Sequence, residues 1–340
     1  AALLDAMCEP VRRRGPDDGG IWIDEQAGIG LGHRRLAVVD LSERGHQPME
    51  SGDGRWVLTF NGEVYDHVDL RAELERVDAS WRGHSDTEVL LEAISRWGLE
   101  RTLDRIDGMF AIGLWDRAER QLHLVRDRMG EKPLHHARLD TGEVVFGSSL
   151  DSLRAHPDLD AAVDRDALGQ FLRYGYVPAP RTILAGVSKV EPGQVLTFDS
   201  SGCLASAGRY WSVLDAFAGP RDFAGTVDDA ADRLDELLLR SVRRRLAADV
   251  PVGAFLSGGI DSSTVVAAAQ ATSSVPLRTF TVGSGSDQLD ETRDAAAVAA
   301  HLGTDHTSLH DAAADALAAL DGLGAVHDEP FGDPSLLPTL

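Results

Sequence analysis

Cysteine is nearly missing from this chain: Cys8 and Cys203 are the only two in 340 residues, and they share no metal-ligand spacing. That scarcity excludes a secreted disulfide framework and a cysteine-ligated zinc site. No apolar run reaches the ~18 residues of a membrane span and no signal-peptide pattern is seen, so the sequence reads as that of a cytoplasmic, non-membrane protein. Positive charge is also in short supply, with 33 Lys and Arg against 55 Asp and Glu and a net charge of −22. Nucleic-acid binding calls for a basic face, and this balance argues against it. The same excess of acid means that any phosphorylated ligand must be held by a divalent cation, backbone amides or local Arg and Lys. There is no internal repeat. His33, His46, His84, His135 and His136 are dispersed without a metal spacing such as His-Glu-x-x-His, so structural hydrogen bonding is their expected role.

What is present is an ordinary globular composition, 43% hydrophobic and 26% charged, on a length that suits two domains. The most informative stretch is Leu-Ser-Gly-Gly-Ile-Asp-Ser-Ser at 256–263. The apolar run Val252–Leu256 before it reads as a buried strand, and Thr264–Gln270 behind it as the start of an alanine-rich helix. Gly258 and Gly259 let the backbone turn tightly and approach a ligand without a Cβ in the way. Amides at the helix start, with the hydroxyls of Ser257, Ser262 and Ser263, form a cradle for an anion. Asp261 lies inside that cradle, where a bare carboxylate would repel phosphate; it makes sense as the holder of a Mg²⁺ that bridges phosphate oxygens. A Walker A loop would carry a Lys before its Ser or Thr, and this loop has none.

A second set of motifs fills the N-terminal half. In order these are Arg-Gly-Pro-Asp-Asp at 14–18, Gly-His-Arg-Arg-Leu at 32–36 and Phe-Asn-Gly-Glu-Val-Tyr at 60–65. Ser-Asp-Thr-Glu follows at 85–88, then Gly-Met-Phe-Ala at 108–111 and Arg-Asp-Arg-Met-Gly-Glu-Lys-Pro-Leu at 126–134. The 256–263 loop resembles the pyrophosphate-binding loop of the N-type ATP pyrophosphatases. The N-terminal succession resembles the class II glutamine amidotransferase domain of glutamine-hydrolysing asparagine synthetases, and the likeness runs over essentially the whole chain.

The resemblance implies a fold: an α+β, four-layer αββα domain of the Ntn-hydrolase type, then part of an α/β parallel-sheet ATP-pyrophosphatase (HUP-like) domain. It implies roles as well. Asn61 and Gly62 match the oxyanion hole for the glutamine amide, and Arg35 the arginine that grips the glutamine α-carboxylate. Asp86 matches the carboxylate that pairs with the α-ammonium, and could equally cap the helix over Thr87–Trp97. Asn-Gly is also a common hairpin turn, which keeps a plain turn at 61–62 in play. For ATP the implied residues are Leu256, Ser257, Gly258, Gly259, Asp261 and Ser262, with Val282 and Gly283 at the adenine–ribose pocket; Asp261 is the implied metal ligand.

Two departures qualify the picture. In the family a cysteine directly after the initiator Met is the nucleophile and its own amine the base. Here the likeness begins more than a dozen residues late, and Cys8, in a helix before Pro10, reads as structural. The family's Ser-Gly-x-Gly-x-Asp-Glu loop and catalytic Lys do not occur before Leu340. The chain as written is therefore expected to catalyse neither half-reaction and to be poorly soluble, since a half-built parallel sheet exposes an unpaired edge. Glu329 and Asp333, in the loop around Pro330 and Pro334, read as solvated carboxylates.

Periodicity places the boundaries at 1–211 for the first domain, 212–227 for a linker and 228–340 for the start of the second. Strands are expected at Gly28–Leu31, Trp56–Phe60, Phe110–Asp116, Gln121–Arg126 and Glu143–Ser148. A helical segment near 168–172 should stop at Pro178 and Pro180. In the second half, helices are expected over Val227–Asp249, Asp290–Gly303 and Ala312–Leu323, with strands at Arg278–Gly283 and Asp305–His310.

The implied activity is ATP-dependent, glutamine-hydrolysing amide synthesis, with ATP and Mg²⁺ as cofactors and glutamine and a carboxylate acceptor, aspartate first, as substrates; a homodimer is compatible with it. The Arg-Met-Gly-Glu-Lys-Pro variant at 128–133 departs from the usual family pattern and leaves another acceptor open. Two alternatives stand beside it: a β-lactam-synthetase-like or ammonia-dependent enzyme without glutaminase activity, and a catalytically silent scaffold.

Overall fold

In the computed structural model, residues 1–77, 79–219, 223–283, 291–310 and 322–333 are described. The chain divides into two compact units, Ala1–Gly219 with Asp328–Phe331, and Pro220–His327 with Gly332–Leu340.

The first unit opens with helix α1 (Ala2–Cys8) and the antiparallel pair β1 (Asp18–Asp24) and β2 (Ile29–Arg35). Next come β3 (Met49–Glu50), β4 (Trp56–Val64), α2 (His67–Glu75), α3 (Asp86–Trp97), α4 (Leu99–Arg105), β5 (Gly108–Asp116) and β6 (Gln121–Arg126). After these follow β7 (His135–Arg138), β8 (Val144–Gly147), α5 (Leu150–Arg154), α6 (Arg165–Tyr174), β9 (Val187–Lys189), β10 (Gln194–Phe198), β11 (Leu204–Arg209) and α7 (Val213–Ala218). Six strands form one antiparallel sheet in the order β11-β10-β6-β5-β4-β3, and three form a second, β8-β7-β9.

The two-residue period of a strand explains the layering. Along β4 and β5, Trp56, Leu58, Phe60, Phe110, Ile112 and Leu114 join a core with Leu70, Leu74, Leu90, Ile94 and Leu103 of α2, α3 and α4. The alternate residues Val57, Ala111 and Trp115 face Leu31 of β2 and Leu134, with Val144 and Phe146 of β8 packed alongside. Ala137 and Val145 on β7 and β8 gather instead with Leu150 and Leu153 of α5, and Met7 of α1 packs against them. Helices, sheet, sheet and helices are thus the four layers of the expected αββα fold. Both faces of β4 and β5 are covered, which is why they read as continuous apolar runs rather than alternating ones.

Several boundaries differ from the sequence reading. Strand β4 runs on through Asn61 and Gly62 to Val64, pairing them with Ala111 and Phe110, so no turn forms at that Asn-Gly. Helix α6 ends on Gly175 at φ 77°, before the prolines are reached. Ser85, not Asp86, caps α3, accepting the Glu88 N–H at 3.2 Å. Helix α7 occupies part of the stretch read as linker. Glu329 is not solvated: it pairs with Lys189 at 2.5 Å and accepts the Ile183 N–H at 2.7 Å.

In the second unit, α8 (Val227–Arg245) starts on a capping box from Thr226 and Asp229. It stops short of Asp249, consistent with the extended backbone favoured before Pro251. Strands β12 (Gly253–Phe255), β13 (Arg278–Gly283) and β14 (Asp305–His310) lie parallel in that order, with α9 (Ile260–Thr272) and α10 (Thr292–Leu302) as the intervening helices. The strand before the loop is not buried as expected: with one neighbour, β12 is an edge and Phe255 is 82% exposed. Val242, Leu256, Val266, Leu277 and Ala295 form the core. The helix expected over Ala312–Leu323 lies almost wholly outside the described residues, as does Pro334.

Candidate functional site

In the first unit a cavity of about 840 Å³ opens between the layers, and Arg35, Asn61, Gly62 and Asp86 all line it. Arg35, at the end of β2, is buried, and its guanidinium donates to three carbonyls: Ser42 at 3.2 Å, Val39 at 3.1 Å and Asp40 at 2.5 Å. Carbonyl dipoles fix the group without neutralising it, so its positive charge remains available to an anion. Gly62 can only be glycine here, because a Cβ would lie 2.1 Å from the Met109 carbonyl oxygen. That close approach keeps β4 and β5 paired where the strand passes the cavity. The Asn61 amide donates through Nδ2 to the Ser148 hydroxyl at 3.1 Å.

Asp86 has turned inward. Its Oδ2 accepts the Val64 N–H at 2.9 Å and its Oδ1 the Thr87 N–H at 2.8 Å, tying the start of α3 to the end of β4. Burial pushes its carboxyl pKa up, against the hydrogen bonds that favour the ion. Beside these residues His33 bonds Thr59 Oγ1 at 3.1 Å, and burial, with Arg35 close by, holds it down to about 4. A neutral imidazole therefore faces the cavity at pH 7. Burial raises the Cys8 thiol and Asp5 adds to the effect, so this cysteine is held protonated.

Residues not singled out from the sequence complete the wall. Glu63 follows Asn61 and Gly62 in the same motif. Gln47 reaches across from before β3, accepting the Phe60 N–H at 2.7 Å and donating to Thr87 Oγ1 at 3.4 Å. It supplies the bond to β4 just where the short β3 ladder ends. Ser148 stands just after β8 and carries no local sequence signal.

In the second unit the 256–263 loop joins the carboxyl end of β12 to the amino end of α9. Leu256 is buried, with its N–H on the Phe280 carbonyl at 2.9 Å, and its own carbonyl accepts the Thr281 hydroxyl. Gly258 sits at φ 80°, and a Cβ there would lie 2.7 Å from the Ala295 nitrogen at the start of α10. The loop thus presses on a second helix where only glycine fits. Ser257 and Ser262 hydroxyls meet at 2.9 Å, and Ser262 Oγ accepts the Ser257 N–H at 3.2 Å. These two are spent on shaping the loop. The first helical bond to this turn is from Ser263 N–H to the Gly259 carbonyl at 3.0 Å, so the N–H groups of Ile260, Asp261 and Ser262 precede the helical ladder. Asp261 is exposed in that first turn. Ser263 Oγ is buried with no partner among the described residues. Val282 and Gly283 end β13 opposite Leu309 and His310 of β14. Strand carboxyl ends and a helix amino end therefore share one edge, where ligands bind in parallel α/β sheets.

Elsewhere Glu143, His156 and Asp158 offer ligand atoms within 4.8 Å of one another. Two of these are exposed carboxylates, and His156 Nδ1 already accepts the Asp158 N–H at 3.2 Å, so we assign no metal there. No described helix is long and apolar enough to cross a membrane.

Comparison with known proteins agrees with this division. Residues 1–211 match the family model for a glutamine amidotransferase domain, and residues 233–340 that for asparagine synthase. "Asparagine synthetase [glutamine-hydrolyzing] 3" of Bacillus subtilis is 36% identical over 287 residues, covering 82% of this chain and 45% of that protein. "Asparagine synthetase [glutamine-hydrolyzing] 1" of the same organism is 34% identical, over 99% of this chain and 51% of that protein. The chain spans about half the length of these relatives. Among solved structures, the glutamine phosphoribosylpyrophosphate amidotransferase of Bacillus subtilis with ADP and GMP aligns at a TM-score of 0.48 and 15% identity, over 97% of this chain and 92% of that one. The chain belongs to the glutamine-hydrolysing asparagine synthetase family.

Proposed function

We propose that the protein carries out ATP-dependent, glutamine-hydrolysing amide synthesis, with the first unit as glutaminase and the second as the start of the synthetase domain. The observation that carries the proposal is the succession of the two family matches, 1–211 and 233–340, on one chain.

In the first unit, Arg35 takes the α-carboxylate of glutamine and Asp86 its α-ammonium. The Asn61 amide and the Gly62 N–H receive the oxygen that becomes negative as the side-chain amide carbon is attacked; overall one water adds to that carbon and its C–N bond breaks, releasing glutamate and ammonia. The neutral His33 leaves the positive charge of Arg35 as the attraction for the carboxylate. In the second unit, the Gly258–Ser262 backbone and the α9 amino end take the phosphates of ATP, and Val282 and Gly283 lie where adenine and ribose would rest. The contact between Gly258 and α10 supports this, since the loop is shaped where no Cβ fits and its exposed donors suit an anion. The exposed carboxylate of Asp261 is a hard oxygen ligand that fits Mg²⁺, which when bound would neutralise phosphate charge. An oxygen of the acceptor carboxylate, aspartate first, attacks the α-phosphorus while the α–β P–O bond breaks, giving an acyl-adenylate and pyrophosphate. Ammonia then displaces AMP and forms the amide.

The test is made on the full-length gene product. Glutamate release from glutamine and aspartate-dependent exchange of labelled pyrophosphate into ATP are both expected. Asn61→Ala should abolish the first and spare the second, and Asp261→Asn should do the reverse. Exchange without glutamate release would establish the ammonia-dependent alternative, and neither activity would leave the scaffold.

A further inference from the structure

We propose that Ser148 is a positioning residue that holds the amide plane of Asn61 in one rotation, ready for the oxygen of a reacting glutamine; this rests on the glutaminase reading above. A primary amide at the end of two rotatable bonds has no preferred rotation of its own, and a site is only as accurate as the partner that fixes it. Asn61 Nδ2 donates to Ser148 Oγ at 3.1 Å, and its side chain has no other hydrogen-bond partner among the described residues. One Nδ2 hydrogen is committed to Ser148, and the other remains for an acceptor in the cavity that both residues line.

Both ends of this bond stand on rigid supports. Asn61 lies within β4, paired with Ala111, and the Gln47 side chain holds the neighbouring Phe60 N–H. Ser148 is gripped from behind, its carbonyl accepting Arg14 Nη1 at 3.3 Å. The next residue, Ser149, caps α5 through the Asp151 N–H at 3.2 Å and donates to Asp328 Oδ1 at 2.7 Å. The bond joins β4 of the six-stranded sheet to the residue that follows β8 of the second sheet. It also draws together the Arg-Gly-Pro-Asp-Asp and Phe-Asn-Gly-Glu-Val-Tyr motifs, through a serine that belongs to neither.

The experiment compares wild type, Ser148→Ala and Ser148→Thr in the full-length gene product. Each is assayed for glutamine hydrolysis and for amide synthesis from free ammonia, and crystal structures of wild type and Ser148→Ala are compared at Asn61. In Ser148→Ala, kcat for glutamine hydrolysis should fall about 10-fold while KM stays within about 2-fold, because position and not substrate binding is lost. Ammonia-dependent synthesis should stay at the wild-type rate, Ser148→Thr should restore hydrolysis, and the Asn61 amide should rotate or split in the Ser148→Ala crystal. Wild-type hydrolysis by Ser148→Ala, equal loss of both activities, or an unmoved amide would overturn the proposal. Should wild type release no glutamate, the glutaminase reading itself fails, and the amide in the Ser148→Ala crystal still decides the positioning claim.

Discussion

His135 shows how one residue can govern acid stability. It is 5% exposed on β7, its Nδ1 has no partner among the described residues, and burial holds it down to about 4. In the unfolded chain an imidazole titrates near ~6.5. Between those values the unfolded state binds the extra proton, so the stability is fully present above about pH 6.5 and is lost as pH falls toward 4, up to about 3 kcal/mol. Urea midpoints at pH 7 and pH 4.5 check this: the fall should be smaller in His135→Leu, and an equal fall would assign the acid sensitivity elsewhere. In the sequence His135 is one of twelve histidines, dispersed like His33, His46, His84 and His136 without metal spacing. Which of them would be buried could not be read from it, because the layer covering β7 comes from α5, well beyond any local window.

At the level of elements, Gly62 and Gly258, each pressed against neighbouring backbone beside a candidate site, carry the sharpest predictions. Gly62→Ala puts a Cβ 2.1 Å from the Met109 carbonyl and must part β4 from β5 beside the cavity. A loss of about 3 kcal/mol in urea unfolding is expected, the upper end for overpacking. Gly258→Ala adds a left-handed backbone at φ 80° to a 2.7 Å contact with α10. It should cost about 2 kcal/mol, and pyrophosphate exchange should fall with it; full exchange in that variant would contradict the close fit of loop and helix. Element types were largely legible, since β6, β13 and β14 have the expected bounds and α10 closes on Gly303 at φ 72°. Ends were less so. Asn61 and Gly62 carry turn chemistry yet stay in β4, because pairing with Ala111 and Phe110 across the sheet outweighs it.

At the scale of the whole molecule, the return of Asp328–Phe331 to the first unit is held by charge. Lys189 and Glu329 meet at 2.5 Å with 15% and 16% of their side chains exposed, and Lys189 also donates to the Val177 carbonyl at 2.6 Å. Glu329→Gln leaves a buried ammonium without its counter-ion and should destabilise by about 3 kcal/mol, while adding Lys189→Met should recover most of it. Thermal melts of both variants check this, and equal loss in single and double variants would show that the pair is not the cause. The motifs of the sequence determined the family and the order of the two domains, and through that resemblance the αββα and parallel-sheet architectures. Periodicity, glycine placement and contiguous motifs are local properties, written within a few turns or strands of chain. Tertiary structure alone decided that Asp86 turns from a helix cap to the Val64 amide, that Ser148 meets Asn61 across two sheets, and that Glu329 pairs with Lys189. These contacts join residues far apart in the chain, and only the burial of a common core brings them within hydrogen-bond reach.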